Sequence, residues 1–176
     1  MSITIARPGE EEYAPFYAGY VKRVPEGDLR GTLRAQLGTT LALLRGVGEP
    51  RGDHRYAPDK WTIKEVIGHV IDTERIMAYR ALRIGRGDAT PLPGFEQNDY
   101  VPNGNFGQRT LANLAEELEV VRRSTIILFQ HMDETALARR GTASGAAVTP
   151  RALAYIIAGH ELHHVDILRT RYLEGA

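Results

Sequence analysis

The chain has 176 residues, 43% of them hydrophobic and 25% charged, a composition typical of a globular protein with a sizeable core. Its 22 basic and 22 acidic side chains give zero formal net charge, so neither nucleic acid nor an anionic membrane is an expected partner. The absence of cysteine excludes disulfides, thiolate metal ligands and a cysteine nucleophile. The sequence shows no signal-peptide pattern and no apolar stretch near the roughly 20 residues that span a bilayer, so we expect a cytoplasmic protein.

Four segments with helical periodicity account for most of the chain, and stretches rich in Gly, Pro and Asp separate them. The start of the second segment is well marked, because Thr62 and Glu65 form a T-x-x-E capping box. The fourth segment opens with Thr149 as N-cap and Pro150 at the first helical position. The predicted helices cover residues 28–47, 61–84, 110–131 and 149–173.

Strand signals are weak, since only residues 2–6 alternate in a strand-like way and one short strand forms no sheet. Four amphipathic helices without a sheet bury their apolar faces against one another. The sequence therefore predicts an all-α four-helix bundle in a single domain over residues 1–176. The connection at residues 85–107 is unusually long for a compact domain. We interpret it as a crossover packed on the bundle, with a lid as the alternative.

The most informative motif is G-H-E-L-H-H in the fourth predicted helix. Its first and last histidines, His160 and His164, lie one turn apart, about 40° around the axis and roughly 6 Å along it. Two imidazoles at this spacing can bind one metal ion. Both also fall in the middle of the apolar face, where buried imidazoles need a metal or hydrogen-bond partners. A metal-binding pair and a hydrogen-bonded core pair both satisfy this pattern.

His69 is the third candidate ligand. It sits beside the apolar face of the second helix, in line with Thr73 and Arg80, along a partly polar seam that suits a pocket wall. Arg80 is a candidate for binding an anionic group of a substrate, and a structural salt bridge is the other interpretation. Glu161 and Asp166 lie off the apolar face of the fourth helix and are interpreted as solvated charges.

Several motifs of the sequence resemble the DinB-like superfamily, in order and over most of the chain. They are W-T-I-K-E-V-I-G-H at residues 61–69, D-T-E-R at 72–75, Y-R-A-L-R-I at 79–84, P-L-P-G-F at 91–95 and A-Y-I-I-A-G-H-E-L-H-H at 154–164. The sequence is similar to the branch that includes YfiT-like metal-dependent hydrolases. This resemblance implies an up-down-down-up bundle with a long crossover between the second and third helices. It also implies one divalent ion, often zinc or nickel, on histidines whose positions are filled here by His69, His160 and His164.

The activity that the resemblance implies is metal-dependent, because the superfamily includes bacillithiol S-transferases and mycothiol-dependent maleylpyruvate isomerases. Three histidines without an obvious fourth ligand also suggest an open site, as in catalytic zinc enzymes. Such an ion lowers the pKa of bound water or of a bound thiol. We therefore expect an enzyme, either a low-molecular-weight thiol S-transferase or a hydrolase. A non-catalytic metal- or small-ligand-binding protein is the alternative, since no general acid or base is evident.

The expected partners are a small-molecule substrate, with a low-molecular-weight thiol as a possible co-substrate, and a second copy of the chain. The resemblance favours a homodimer, because members of the superfamily are frequently dimers. A second reason is that Ile67 and Ile71 lie off the main apolar face of the second helix. In a monomer we expect them to be exposed, and a dimer would cover them.

Overall fold

The computed structural model describes residues 4–173, and four long helices joined by shorter elements make up most of this part of the chain. The helices are α1 (Ala18–Arg23), α2 (Leu29–Val47), α3 (Ile63–Gly85), α4 (Gln97–Asn103), α5 (Leu111–Gln130), α6 (Glu134–Ala138) and α7 (Pro150–Ile167), and the strands are β1 (Gly141–Ala143) and β2 (Ala146–Val148). The four long helices of the bundle are α2, α3, α5 and α7. A π-helical segment, Leu168–Leu173, continues α7.

Each long helix begins at a polar side chain that caps its free backbone amides. The predicted capping box is confirmed, because Thr62 Oγ1 accepts from the amide of Glu65 and the Glu65 carboxylate accepts from the amide of Thr62. Thr149 likewise caps α7, and Pro150 is its first residue, as predicted. The same role falls to Asp28 at α2 and Thr110 at α5. The observed bounds lie within a few residues of the predicted ones.

Contacts between the helices fix their directions. The end of α3 lies beside the start of α7 at Gly85 and Pro150, so these two helices are antiparallel. Lys64 at the start of α3 and Leu111 at the start of α5 both lie against Gly52, and Gly85 at the end of α3 meets Met132 just beyond α5, so α3 and α5 run parallel. Between α2 and α7, the Gln36 side chain donates to the carbonyl of Ala158 and Thr40 bonds to Glu161, so this pair is also parallel. The result is the predicted up-down-down-up four-helix bundle.

The crossover between α3 and α5 is long because two parallel helices cannot be joined by a tight turn. It contains the short helix α4, and its residue Phe106 is buried against the bundle. It also binds to the hairpin β1–β2, since the amide of Leu92 donates to the carbonyl of Thr142 and the carbonyl of Leu92 accepts from the amide of Ser144. The segment therefore packs on the bundle, as predicted for a crossover.

The expectation that the chain forms no sheet is wrong at one place. Strands β1 and β2 form a two-stranded antiparallel hairpin whose turn residues, Ser144 and Gly145, both have positive φ. The S-G dipeptide is a known turn signal, but three-residue strands are too short to show an alternating pattern. The one strand-like segment of the sequence, residues 2–6, forms no strand at residues 4–6, and residues 2 and 3 lie outside the described residues.

The interior of the bundle consists of two apolar clusters with a polar layer between them. One cluster gathers around Met77, Phe129 and Leu153, and the other around Ile67 and Leu118. The layer between them is made of buried polar side chains from all four long helices. Its members are Gln36 and Thr40 of α2, Thr73 and Glu74 of α3, Arg122 and Thr125 of α5, and His160 and Glu161 of α7.

Two expectations about surfaces are affected by this packing. Ile67 and Ile71 are 1% and 0% exposed within one chain, so the argument that a dimer must cover them is wrong. The homodimer stays a prediction, and a sedimenting species near twice 19.5 kDa is its check. Among residues 4–173, no helix is long and apolar enough to cross a membrane.

Candidate metal centre

The imidazoles of the three predicted ligands meet between α3 and α7. Nε2 of His160 lies 3.0 Å from Nε2 of His69 and 3.1 Å from Nε2 of His164. Taking one nitrogen from each ring, the three atoms lie within 4.8 Å of one another. His69 and His160 are buried, and His164 is half-buried. The geometry thus brings together all three residues that the sequence singled out as a ligand set.

A glycine precedes the first histidine on each of the two helices, and another segment packs closely against it. A Cβ atom at Gly68 would overlap the ring of Phe106 from the crossover. A Cβ atom at Gly159 would overlap the backbone carbonyl of Tyr20 at α1. Each G-H pair of the sequence therefore marks a close contact. At that point a neighbouring segment packs directly on the backbone of a helix that carries a candidate metal ligand.

Aromatic rings surround the cluster. The ring of Trp61 lies 4.9 Å from that of His69, and the ring of Tyr20 lies 5.4 Å from those of both His160 and His163. His163 is thus close by, but it is not among the three residues whose nitrogen atoms converge. Tyr20 was missed from the sequence, because α1 is too short to show a helical pattern.

Burial keeps the three imidazoles neutral. It lowers the pKa of His69 to about 4. The pKa of His164 falls to about 3, mainly because of burial and further because of His69 and His163. Burial also lowers the pKa of His160 well below its ordinary value, and the neighbouring histidines add to this. Because a metal ligand must present an unprotonated nitrogen, these rings are ready to bind a cation at neutral pH.

The three ring nitrogens suit a bound divalent ion better than they suit hydrogen bonds among themselves. A neutral imidazole nitrogen has either one N–H or one lone pair, yet Nε2 of His160 faces two other ring nitrogens. Within residues 4–173 these rings make no other hydrogen bond, and no carboxylate joins the cluster. At metal–nitrogen distances of about 2.0–2.1 Å, tetrahedral ligand nitrogens lie about 3.3 Å apart. This is close to the 3.0 Å and 3.1 Å that separate Nε2 of His160 from Nε2 of His69 and of His164. His69, His160 and His164 therefore fit an ion such as zinc.

Next to the histidines, a buried ion-pair network joins the helices. The Arg122 guanidinium binds both carboxylate oxygens of Glu74 at 2.8 Å and one oxygen of Glu161 at 2.7 Å. Thr40 donates to the other oxygen of Glu161, and Arg122 also donates to the carbonyl of Leu33. The interpretation of Glu161 as a solvated charge is therefore wrong, since it is 1% exposed.

Helical periodicity could not reveal this role of Glu161, because its partner lies on another helix. Asp166, the other carboxylate interpreted as solvated, is exposed and pairs with Arg23 at 3.4 Å. Burial by itself lowers the pKa of Arg122, but Glu161 and Glu74 outweigh it, and the net pKa is raised. Arg122 therefore stays charged in the interior, as its two carboxylate partners require.

Two cavities reach the histidine cluster from different sides. The larger has a volume of about 340 Å³, and His69 and His160 form part of its wall. The smaller has a volume of about 250 Å³ and is bordered by His164. Asn98, from α4 of the crossover, lines both. The crossover thus covers the site. A movable lid and a fixed crossover would both do so.

Arg80, the predicted substrate-binding residue, lies buried behind the wall of the larger cavity. One nitrogen of its guanidinium donates to the carbonyl of Pro93 at 2.7 Å and to Ser144 Oγ at 3.0 Å. No carboxylate of residues 4–173 pairs with it, so the structural salt bridge that the sequence left open is not present there. Thr73, on the same seam, lines the cavity as expected.

Comparison with known proteins identifies the family of the chain. The sequence profile of the DinB superfamily matches residues 32–168, a span that includes all three histidines. The chain belongs to the DinB superfamily. No protein of curated function matches the sequence of this DinB-superfamily member.

Solved structures share the fold at low sequence identity. YfiT from Bacillus subtilis, described as a probable metal-dependent hydrolase with an unusual four-helix bundle topology, superposes with a TM-score of 0.70 at 12% identity, over 90% of this chain and 93% of its own. A mycothiol-dependent maleylpyruvate isomerase gives 0.66 at 17% identity, over 83% of this chain and 62% of its own. A DinB-like protein from Bacillus subtilis gives 0.59 at 18% identity, over 81% and 87%. At these identities the likeness establishes the DinB fold alone.

Proposed function

We propose that this protein is a metal-dependent enzyme that transfers a low-molecular-weight thiol to a second small substrate. The observation that carries the proposal is the position of the histidine cluster between two cavities. His69 and His160 face one cavity and His164 faces the other. Two cavities that meet at one site suit two reactants, whereas hydrolysis needs one substrate and water.

His69, His160 and His164 would hold one divalent ion, zinc or nickel, through neutral nitrogen atoms. Bound there, the ion would supply the acidity that turns a coordinating thiol into a thiolate at pH 7. The chain has no cysteine, so the sulfur has to come from a small molecule. The description of one structural neighbour as mycothiol-dependent points in the same direction.

The remaining residues of the site would position the reactants and exclude water. Trp61 and Tyr20 cover the imidazoles with their rings, which reduces access of bulk solvent. Asn98 borders both cavities and offers an amide to either reactant. No carboxylate lies among the three converging rings within residues 4–173, so proton transfer would fall to the reactants or to solvent.

Cobalt-substituted protein provides the direct test. Thiolate bound to cobalt adds a charge-transfer band in the near ultraviolet, and with no cysteine in the chain this band reports only added thiol. We expect titration with small thiols such as glutathione, cysteine or mycothiol to produce the band with at least one of them. The His69→Ala variant, titrated under the same conditions, is expected to show no band because it lacks a ligand.

Each other outcome has a definite meaning. A cobalt protein that binds metal but shows no band with any thiol would exclude thiol transfer and leave hydrolysis through activated water. A protein that binds metal but turns over no thiol acceptor or ester in a substrate screen would be a metal- or ligand-binding protein without catalysis. Full metal occupancy in the triple histidine-to-alanine variant would refute the ligand set itself.

A further inference from the structure

Behind the wall of the larger cavity lies a positive charge that no carboxylate of residues 4–173 pairs with. Arg80 is 3% exposed, and its partners within residues 4–173 are the carbonyl of Pro93, the hydroxyl of Ser144, the sulfur of Met77 and the ring of Phe95. All four are uncharged. By contrast, the buried Arg122, in the network with Glu74 and Glu161, has two carboxylates. A buried cation without a counter-ion favours an anion in the adjoining cavity.

The donors of the Arg80 guanidinium are only partly used. Of the five N–H groups of an arginine, two on one terminal nitrogen serve Pro93 and Ser144, and one on the other faces the sulfur of Met77. A sulfur atom at 3.6 Å is a weak acceptor. The guanidinium therefore keeps donors that the described residues do not use.

Thr73 supplies an independent sign of a missing partner. It is 3% exposed and lines the cavity, and its Oγ1 has no hydrogen-bond partner among the described residues. A threonine in a helix commonly donates to a carbonyl one turn back, but Thr73 does not. A buried hydroxyl without a partner costs free energy, and an oxygen atom of a ligand in the cavity would satisfy it.

Ser144 brings a second hydroxyl to the same wall. It lies at the positive-φ turn of the β1–β2 hairpin, which hydrogen bonds to the crossover hold against the bundle. Its Oγ accepts from Arg80 at 3.0 Å, which leaves its own O–H free to donate. The hairpin thereby delivers a hydroxyl donor to a cavity that is otherwise built from helices and the crossover.

We propose that the larger cavity binds the carboxylate group of the substrate through the hydroxyl groups of Thr73 and Ser144, with Arg80 behind Ser144 supplying the positive charge. The proposal rests on the proposed function in that it assigns the substrate class of the same site. Thr73 lies one helical turn beyond His69, so the carboxylate end and the reacting end of one small molecule can be served by the same face of α3. A carboxylate suits the site because the wall offers two hydroxyl groups and the Arg80 cation lies behind it, bonded to one of them.

The rest of the lining restricts the substrate further. The cavity volume of about 340 Å³ is at the small end of ligand sites. Aromatic side chains contribute to its wall, among them Tyr17, Tyr20 and Phe95. One carboxylate of the protein, Glu96, also lines the cavity, but it is exposed at the rim and accepts from the amide of Asn98. We therefore assign a compact monocarboxylate with an unsaturated or aromatic body.

Benzoate and benzamide form a matched pair of probes, because they have the same shape and differ in charge. Each is titrated by calorimetry into the full chain, once loaded with zinc and once stripped with a chelator. In the stripped protein no metal can bind the carboxylate, so we expect benzoate to bind at least about tenfold more tightly than benzamide.

The variants Thr73→Val and Ser144→Ala are each expected to weaken benzoate binding about tenfold and to leave benzamide binding unchanged. Thr39→Val, an exposed threonine of α2 away from this cavity, is the control.

The result that would overturn the inference is equal affinity of the stripped protein for both probes, or no binding of either. Unchanged benzoate binding in both Thr73→Val and Ser144→Ala would overturn it as well. These two variants are used instead of Arg80→Met because they leave the buried charge in place. Failure of the proposed function is distinguishable, because it would appear as loss of metal or thiol binding while the preference for benzoate persists in the stripped protein.

Discussion

At the scale of single residues, burial determines which form of the three imidazoles exists. Nothing negative lies among the rings within residues 4–173, so a proton on any of them would be a buried charge without a counter-charge. This is the physical reason why the pKa values of His69 and His164 fall to about 4 and about 3. Protons compete poorly with a metal at such a site, since the nitrogen atoms are already free.

The same shifts predict the pH dependence of stability in the metal-free protein. In the unfolded chain these histidines have pKa values of about 6.5, so below that pH the unfolded state binds more protons than the folded state. Stability is therefore complete above about pH 6.5 and falls as the pH is lowered towards 4. Between pH 6.5 and pH 5 the shift of His69 alone lowers the free energy of unfolding by about 2 kcal/mol.

Urea unfolding at pH 7, 6 and 5 in the presence of a chelator measures this loss. The His69→Gln variant should lose less stability over the same range, while His131→Gln, an exposed histidine, should match the wild type. Carboxylates with lowered pKa values, such as Glu12 and Glu117, act mainly below about pH 4.5 and stay out of this window. A stability that does not change from pH 7 to pH 5 would contradict the buried, neutral cluster.

At the scale of secondary-structure elements, α7 is held from two sides. Gly159 lets the backbone of Tyr20 approach, and Glu161 binds Arg122 of α5. His160 lies between these two residues, so both contacts act on the helix at the position of a proposed metal ligand. Each contact leads to a separate prediction.

The Gly159→Ala substitution is expected to destabilise the protein, because its Cβ would overlap the backbone of Tyr20, which cannot rotate away as a side chain could. We expect a loss of about 1–3 kcal/mol in the free energy of unfolding, measured in urea at pH 7. Gly38→Ala is the matched control, since Gly38 is exposed within α2 and a Cβ there meets nothing within 4 Å. It should gain up to about 1 kcal/mol from helix propensity. Equal effects of the two substitutions would refute the close contact between α1 and α7.

The Arg122→Met substitution is expected to cost about 3–5 kcal/mol, because it leaves Glu74 and Glu161 buried without a counter-charge. The exposed pair Arg123–Glu119 on the same helix is the control, and Arg123→Met should cost less than about 1 kcal/mol. Thermal and urea unfolding of both variants at pH 7 measure the difference. A change of less than about 1 kcal/mol in Arg122→Met would mean that the network contributes little stability.

The sequence was sufficient to predict the elements whose signals are local. Caps such as Thr62 and Thr149 predict the helix starts, and the spacing of His160 and His164 identifies two of the three histidines that converge. The hairpin with Ser144 was missed because its strands are three residues long. Glu161 was misjudged for a different reason, since its burial depends on an arginine 39 positions away that periodicity within one helix does not reveal.

At the scale of the whole molecule, the histidine cluster lies in the polar layer between the two apolar clusters of the bundle. His69 belongs to α3, and His160 and His164 belong to α7, two antiparallel helices that are far apart in the sequence. In the unfolded chain His69 and His160 are separated by 91 residues, so a preformed site exists only in the folded state. A metal ion bound at these histidines would therefore stabilise the entire bundle.

The last prediction uses this coupling and needs no knowledge of the reaction. A ligand that binds only the folded state at 100 times its dissociation constant adds about 2.7 kcal/mol to the free energy of unfolding. For a chain of this size that corresponds to a rise in Tm of about 5–10 °C. We expect zinc or nickel, each added in excess to chelator-treated protein, to raise Tm by that amount, with about one ion retained per chain.

The triple variant, in which His69, His160 and His164 are replaced by Ala, should show neither the rise in Tm nor the retained ion. A replacement of the exposed His54 and His131 by Ala should preserve both, because neither is part of the cluster. An equal rise of Tm in the triple variant would place the ion elsewhere and would remove the basis for a metal centre between α3 and α7.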